Sequence, residues 1–294
     1  MPSILLAPAL QEPGSGRLGI ERATIGLSAM KHWLALAMLA AGAPQSAPQA
    51  GPIAAVCADA EITDFGLECT AEEPCPVYLE LAAVENTGTL LFVAGNLHTD
   101  SVTLWSLLLS SDDGGVTWTE PHPRIRGASL DQVVFIDFEN GWISGYVTGS
   151  IPKDPFLLKT ADGGKTWRRI PLFEDTAFAS IEQFWFETKS RGFLILNRRG
   201  ASAGRHQKLE SMTGGDSWMM REVSPKPIAA PRPRSNGDWR IRIDSPSKTF
   251  RVERRAGARW EPGGSFPIRA GACKPAPPPP PPPQPEPPKE PPAQ

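Results

Sequence analysis

Between Cys57 and Cys273 the chain alternates short apolar stretches with glycine-containing polar turns, and one turn recurs. Ser111-Asp112-Asp113-Gly114-Gly115-Val116-Thr117-Trp118 returns as Thr160-Ala161-Asp162-Gly163-Gly164-Lys165-Thr166-Trp167. It returns again, degraded, as Ser211-Met212-Thr213-Gly214-Gly215-Asp216-Ser217-Trp218. The tryptophans lie 49 residues apart (118 to 167) and then 51 (167 to 218). A period of about fifty residues is that of one propeller blade.

The segments around each turn predict four strands per unit. Leu79-Glu80-Leu81, Leu130-Asp131-Gln132 and Ile181-Glu182-Gln183 open corresponding first strands, each offset by 51 residues (79, 130, 181). A glycine-bearing second strand follows, as in Gly141 to Gly145 or Gly192 to Leu196. A third, Val102 to Leu109 or Phe156 to Lys159, leads into the box, and Thr117 to Glu120 or Thr166 to Ile170 supplies the fourth. The residue types suit the turn. Ser111, Asp113, Thr160, Asp162 and Ser211 can hydrogen-bond the turn's own backbone, Gly115, Gly164 and Gly215 can take positive φ, and Trp118, Trp167 and Trp218 can bury a large apolar face.

A weaker fourth unit has strands at Trp239 to Asp244 and Thr249 to Glu253, with Gly257-Ala258-Arg259-Trp260 keeping only the end of the box. The expected fold is therefore all-β: a β-propeller-like array of four-stranded blades with Asp-box hairpins over residues 53–273. Four blades are clear, with a partial fifth drawn from 53–65 and 264–270.

Outside this region the pattern changes. Met30-Lys31-His32, the apolar run Trp33 to Ala41 and the small-residue exit Ala41-Gly42-Ala43 read as a secretory signal peptide over 30–50, and residues 1–29 as untranslated or disordered. The run is too short to span a bilayer. Residues 274–294 are dominated by proline and should form an extended tail, a spacer or a ligand for a partner's aromatic groove.

The four cysteines agree with export. Three pairings can be drawn, and a local Cys69–Cys75 bridge with Cys57–Cys273 joining the ends of the folded region is the expected one. Their spacing is not that of a zinc cluster, His98, His122 and His206 have no ligand spacing, and no cofactor motif is present, so neither metal nor cofactor is expected. With 30 Lys+Arg against 32 Asp+Glu, the chain lacks the field of a nucleic-acid binder.

The turns, together with Phe135-Ile136-Asp137-Phe138-Glu139-Asn140-Gly141-Trp142 beside Lys159 to Trp167, resemble the BNR/Asp-box repeat superfamily and, within it, the photosystem II assembly/stability factor branch. The resemblance covers roughly residues 79–222. It implies a multi-bladed propeller that binds proteins or serves in a larger secreted assembly, although that branch typically has seven blades. The same superfamily contains sialidases, whose arginine cluster and tyrosine nucleophile imply a hydrolase alternative. Here only Tyr78 and Tyr146 are present, neither in a recognisable catalytic context.

Two candidate sites follow. Glu80, Asp131 and Glu182 are expected to share one repeat position near a central channel, able to hold a cation or basic ligand. Arginines crowd the fourth unit (Arg232, Arg234, Arg240, Arg242, Arg251, Arg254, Arg255 and Arg259), with Arg240, Arg242, Arg251 and Arg254 as a basic face for an acidic partner or polysaccharide. The expected function is an exported, non-catalytic propeller that binds or scaffolds a protein or other macromolecule, periplasmic, extracellular or cell-surface associated. Nucleic acid is not an expected partner.

Overall fold

The computed structural model describes residues 53–201, 204–231 and 238–277. Residues 1–29, the expected signal peptide, Arg232, Arg234 and the tail beyond Pro277 lie outside the described residues. After a short helix, α1 (Asp59–Asp64), the chain is built from strands. Sheet one holds β1 (Cys75–Asn86), β2 (Leu91–His98) and β3 (Thr103–Ser111). Sheet two holds β4 (Ala128–Phe135), β5 (Gly141–Val147), β6 (Lys153–Thr160) and β7 (Arg168–Pro171). Sheet three holds β8 (Ala179–Phe186), β9 (Gly192–Arg198), β10 (His206–Ser211) and β11 (Met219–Ser224). Sheet four holds β12 (Trp239–Asp244), β13 (Thr249–Ala256) and β14 (Arg259–Pro267), and β15 (Arg269–Cys273) returns to sheet one beside β1. All these pairings are antiparallel.

Each recurring turn closes on itself and docks on a neighbour. In the first, the Gly115 amide donates to Ser111 Oγ at 2.8 Å, the Thr117 hydroxyl to Asp113 Oδ2 at 2.6 Å, and Trp118 Nε1 to the Gly115 carbonyl at 2.8 Å. The second repeats this with Gly164 to Thr160 (2.9 Å), Thr166 to Asp162 (2.6 Å) and Trp167 to Gly164 (3.0 Å). In the third, Thr213 replaces the aspartate and takes the Ser217 amide at 2.9 Å, while Trp218 still donates to the Gly215 carbonyl at 3.0 Å.

Gly164, at φ 85°, lies so close to Phe92 of sheet one that a β-carbon would overlap the ring, and Gly115, at φ 95°, lies as close to the Gly263 backbone of sheet four. The third turn docks on sheet two, where Trp142 Nε1 donates to the Gly214 carbonyl at 2.9 Å. The turns therefore order the sheets in space as four, one, two, three.

The cores follow that order. Leu91, Val93, Leu107 and Leu109 of sheet one meet Trp239, Phe250, Val252 and Phe266 of sheet four. Phe92, Ala94 and Leu108 meet Val133, Phe135, Ile143 and Phe156 of sheet two. Trp142 and Leu157 meet Ile181, Phe186, Leu194 and Leu209 of sheet three. Among the described residues, three apolar cores thus join four sheets, and no comparable core joins sheets three and four. First strands contact first strands (β1 with β4 and β12, β4 with β8), which places them at the hub.

Both expected disulfides form, Cys57–Cys273 and Cys69–Cys75. The first closes 216 residues, an entropic constraint on the order of 5 kcal/mol in the loop-closure picture. Cys273 is paired in register with Cys75, so both ends of the described chain fasten at the hub edge of sheet one.

Three expectations need correction. Residues 53–65 and 264–270 make no fifth sheet: they become the α1 segment, the end of β14 and the start of β15. Gly257 to Trp260 is the hairpin between β13 and β14, so Trp260 is not equivalent to the box tryptophans. The fourth strand of sheet one shrinks to a single bridge, Ser110 with Thr119.

Candidate functional site

Each of the three first strands carries a β-bulge, and the bulges set their true register. They fall between Leu81 and Ala83, Leu130 and Gln132, and Ile181 and Gln183. Asp131 and Glu182 therefore occupy one repeat position, whose counterpart in sheet one is Ala82. Glu80, facing Asn96, matches Ser129, which faces Tyr146, and Ser180, which faces Asn197. The expected single ring of Glu80, Asp131 and Glu182 is thus a two-residue slip for its first member. The first two box tryptophans are 49 apart (118 to 167), and the strands keep that interval (Leu81 to Leu130), not 51.

Glu80 and Asp131 are nevertheless brought together, across the hub edge of sheets one and two. Asn96 Nδ2 donates to Glu80 Oε2 at 2.9 Å and lies 3.1 Å from Ser129 Oγ, and Ser129 Oγ donates to Asp131 Oδ1 at 3.3 Å. Burial pushes the Asp131 carboxyl up to about 6, and the charge of Glu80 adds to that rise. Tyr146 is raised as well, first by burial and then by the Asp131 charge. Glu182 stands apart in sheet three, receiving Asn197 Nδ2 at 2.8 Å and lying 2.9 Å from His206 Nδ1. Sequence reasoning missed Asn96 and Ser129, and set aside Tyr146 and His206, which lacked a recognisable catalytic context or ligand spacing. The polar residue two places before Asp131 was the available signal, since the bulge turns both toward the same edge.

A ladder of glutamines runs along the hub. Gln132 Nε2 donates to the Glu182 carbonyl of sheet three at 3.2 Å, and its counterpart Gln183 donates to the Pro231 carbonyl at 2.6 Å. The segment after β11 thus meets sheet three where another sheet's bulge would lie.

The arginines of sheet four divide between its faces. Trp239 and Ile241 point into the core with sheet one, so Arg240 and Arg242 point outward. Glu253, whose side chain is 8% exposed, receives Arg240 at 2.7 Å and Arg242 at 3.4 Å, and Arg251 pairs with Asp244. The Arg240 guanidinium also lies 4.0 Å from the centre of the Trp260 ring. Arg255, facing Trp260 across the hairpin, shares the outer face. Arg254 does not: it faces Trp239 and lines a groove with Asn86, Ser111 and Asp112 of sheet one. The expected basic face therefore consists of Arg240, Arg242 and Arg251, with Arg255 in place of Arg254, because β13 alternates its sides.

Among the described residues, no other sheet covers the outer face of sheet three either. Trp185 stacks on Phe193, with ring centres 5.3 Å apart, and Lys208 lies over both rings. Glu210 accepts Arg191 Nε at 2.9 Å and Arg221 Nε at 2.6 Å. Trp105 and Trp142, by contrast, are buried in the cores.

Three four-stranded antiparallel sheets and one three-stranded sheet about a hub, stitched together by three aspartate- or threonine-centred turns, define a β-propeller-type fold. No family model matches the chain. Among curated proteins it is similar to the photosystem II stability/assembly factor HCF136 of Arabidopsis thaliana, with 30% identity over 115 residues, which is 39% of this chain and 26% of that protein. The chain thus spans about a quarter of the relative's length. Among solved structures it is similar to YCF48 bound to D1 peptide (TM-score 0.38, 20% identity, covering 64% of this chain and 54% of that one). It is similar too to the GH74 xyloglucanase of Xanthomonas campestris (TM-score 0.35, 14% identity, 63% of this chain and 29% of that one). Among the described residues no helix is long and apolar enough to cross a membrane, and no three His, Cys, Asp or Glu side chains gather as a metal site.

Proposed function

We propose that this chain is an exported, non-catalytic propeller module of the Asp-box kind that binds a protein in the cell envelope or outside the cell. One observation carries the reading: among the described residues the four sheets leave two sheet faces without a partner sheet, and both are laid out with aromatic rings under Lys or Arg and with arginines fixed on a carboxylate. Rigid aromatic and arginine side chains in fixed positions are what protein recognition uses. The partial similarity to an assembly factor agrees with this, and two disulfides suit an oxidising compartment. The proline-rich tail then serves as a spacer beyond the propeller.

The pairing of Asp131 with Glu80 beside Tyr146 favours a second reading, a sialidase-like glycoside hydrolase. A carboxyl pushed up to about 6 by burial beside a second acidic side chain is the pattern of a general acid. Against this, Ser129 and Asn96 tie both carboxylates into the junction between sheets. No arginine among the described residues is bonded to them. Affinity capture by the full chain from its own envelope extract, with glycosidase assays on the same sample, separates the two. Recovery of a protein that competes for a terminal face supports binding, and turnover lost in Asp131→Asn with no protein recovered reverses the ranking.

A further inference from the structure

We infer that the outer face of sheet four is a docking site for an acidic, extended polypeptide segment. The inference rests on the reading of the chain as a protein-binding module and names the chemistry of its partner.

Charge is the first ground. Arg240, Arg242, Arg251 and Arg255 stand on this face, and the carboxylates that pair with them among the described residues are Asp244 and Glu253, on a chain whose formal net charge is −2. The carboxylates are the sheltered partners, with Glu253 8% and Asp244 13% exposed, and the guanidiniums the accessible ones, at 41% for Arg240, 47% for Arg242 and 36% for Arg251. A ligand arriving here meets cations whose counter-charges lie beneath them.

Geometry is the second. Each arginine carries five N–H donors, and Arg242 commits only its Nε, to Glu253. The outward edges of the guanidiniums remain for bidentate capture of a carboxylate. Arg240 and Arg242 are two residues apart on one strand, a repeat of about 6.8 Å. An extended peptide repeats same-side residues at that interval, so acidic residues at alternate positions meet the two guanidiniums in turn. Trp260, under Arg240, offers an apolar surface for an intervening side chain.

A second copy of this chain fits poorly, because the other uncovered face, on sheet three, sets Arg191, Lys208 and Arg221 against Glu187, Glu210 and Glu222 and so offers no excess of carboxylates to these arginines. A peptide carboxylate, by contrast, is attracted to the outward edges of the sheet-four guanidiniums.

The test is fluorescence anisotropy of the full disulfide-bonded chain with a labelled peptide of alternating Glu and Phe, beside the matching Gln and Phe peptide. The glutamate peptide should bind at least tenfold more tightly, and Arg242→Glu should weaken it at least tenfold. Arg254→Glu, the same charge change on the opposite face, should leave it within about twofold. Arg242→Lys guards against misfolding: it keeps the charge over Glu253 but loses the fork, and should cost about threefold to tenfold. Equal binding of the two peptides, or equal loss in Arg242→Glu and Arg254→Glu, overturns the proposal. So does a sulfated oligosaccharide or single-stranded DNA that binds more tightly with the same arginine dependence. If the peptide fails while a captured protein is still lost in Arg242→Glu, the acidic class is wrong and the binding function stands; if capture fails too, both fall.

Discussion

Sheets two and four belong to one array, yet their strands differ in composition, and the difference records what covers them. In β6 of sheet two, Phe156 and Leu158 enter the core with sheet one and Leu157, between them, enters the core with sheet three. A continuous apolar run is the mark of a strand buried on both faces. In β12, Trp239 and Ile241 alternate with Arg240 and Arg242, and only the first pair is covered. Sheet three is intermediate, since β9 is apolar from Phe193 to Leu196 but sets Phe193 on an outer face beside Lys208 and Arg191. Terminal units of a repeat array lack one neighbour and must present a polar face to water. Here two arginines on a sheltered glutamate serve that end on both terminal sheets.

The sharpest way to break this comparison is to remove equivalent indoles from the two environments. Trp142 is 1% exposed, stacked on Phe186 with ring centres 3.7 Å apart, and hydrogen-bonded to Gly214. Trp142→Ala should cost about 4 kcal/mol in urea unfolding. Trp260→Ala, on the outer face, should cost less than about 1 kcal/mol. Similar losses would mean that sheet four is covered in solution.

The next effect concerns the stitching. Gly164→Ala adds a methyl where φ is 85° and Phe92 fills the space, so it should cost about 3 kcal/mol. Phe92→Leu should return part of that loss if the turn acts through sheet one. Full additivity of the two changes would show that it does not.

The legible part of this molecule is the part fixed by local chemistry. The Ser/Thr, Asp, Gly and Trp of the boxes announced their own hydrogen bonds, and β12 falls where Trp239 to Asp244 predicted it. The disulfide partners also followed from position along the chain. What escaped was register and sidedness. A bulge at Ala82, Asp131 and Glu182 leaves no mark in a search for a constant offset, so Glu80 was aligned two residues away from its counterpart. Arg251 and Arg254 are three residues apart on β13, so plain alternation puts them on opposite faces and Arg254 with Trp239. The absence of a core between sheets three and four depends on faces that meet only in three dimensions.

A third effect is set inside the array. Because burial raises Asp131 to about 6, its folded form holds a proton that the unfolded chain releases near 4. Its contribution therefore favours folding below about 4 and is lost as pH rises to about 6. Asp131→Asn should flatten that decline and stabilise the fold at pH 7 by on the order of 2 kcal/mol in unfolding titrations. An unchanged slope would remove Asp131 from the buried set.

The smallest expected effect separates the turns themselves. The Thr166 hydroxyl and amide hold Asp162 at about 2, and the Thr117 hydroxyl and amide do the same for Asp113. Their folded values lie below the unfolded value of 3.8, so their contribution is present above about 4 and is lost as pH falls toward 2. The third turn carries Thr213 in the aspartate position, so that position should add nothing to this acid slope. Thr213→Asp should introduce it, through the Ser217 amide and hydroxyl that Thr213 already engages. Thr166→Val should remove much of it from the second turn. Both are exposed to solvent, so shifts of about 1–2 °C in melting temperature at pH 3 relative to pH 6 are expected. If Thr213→Asp leaves the acid slope unchanged, the aspartates of the first two turns stabilise through shape alone, and their charge is incidental to how the sheets are joined.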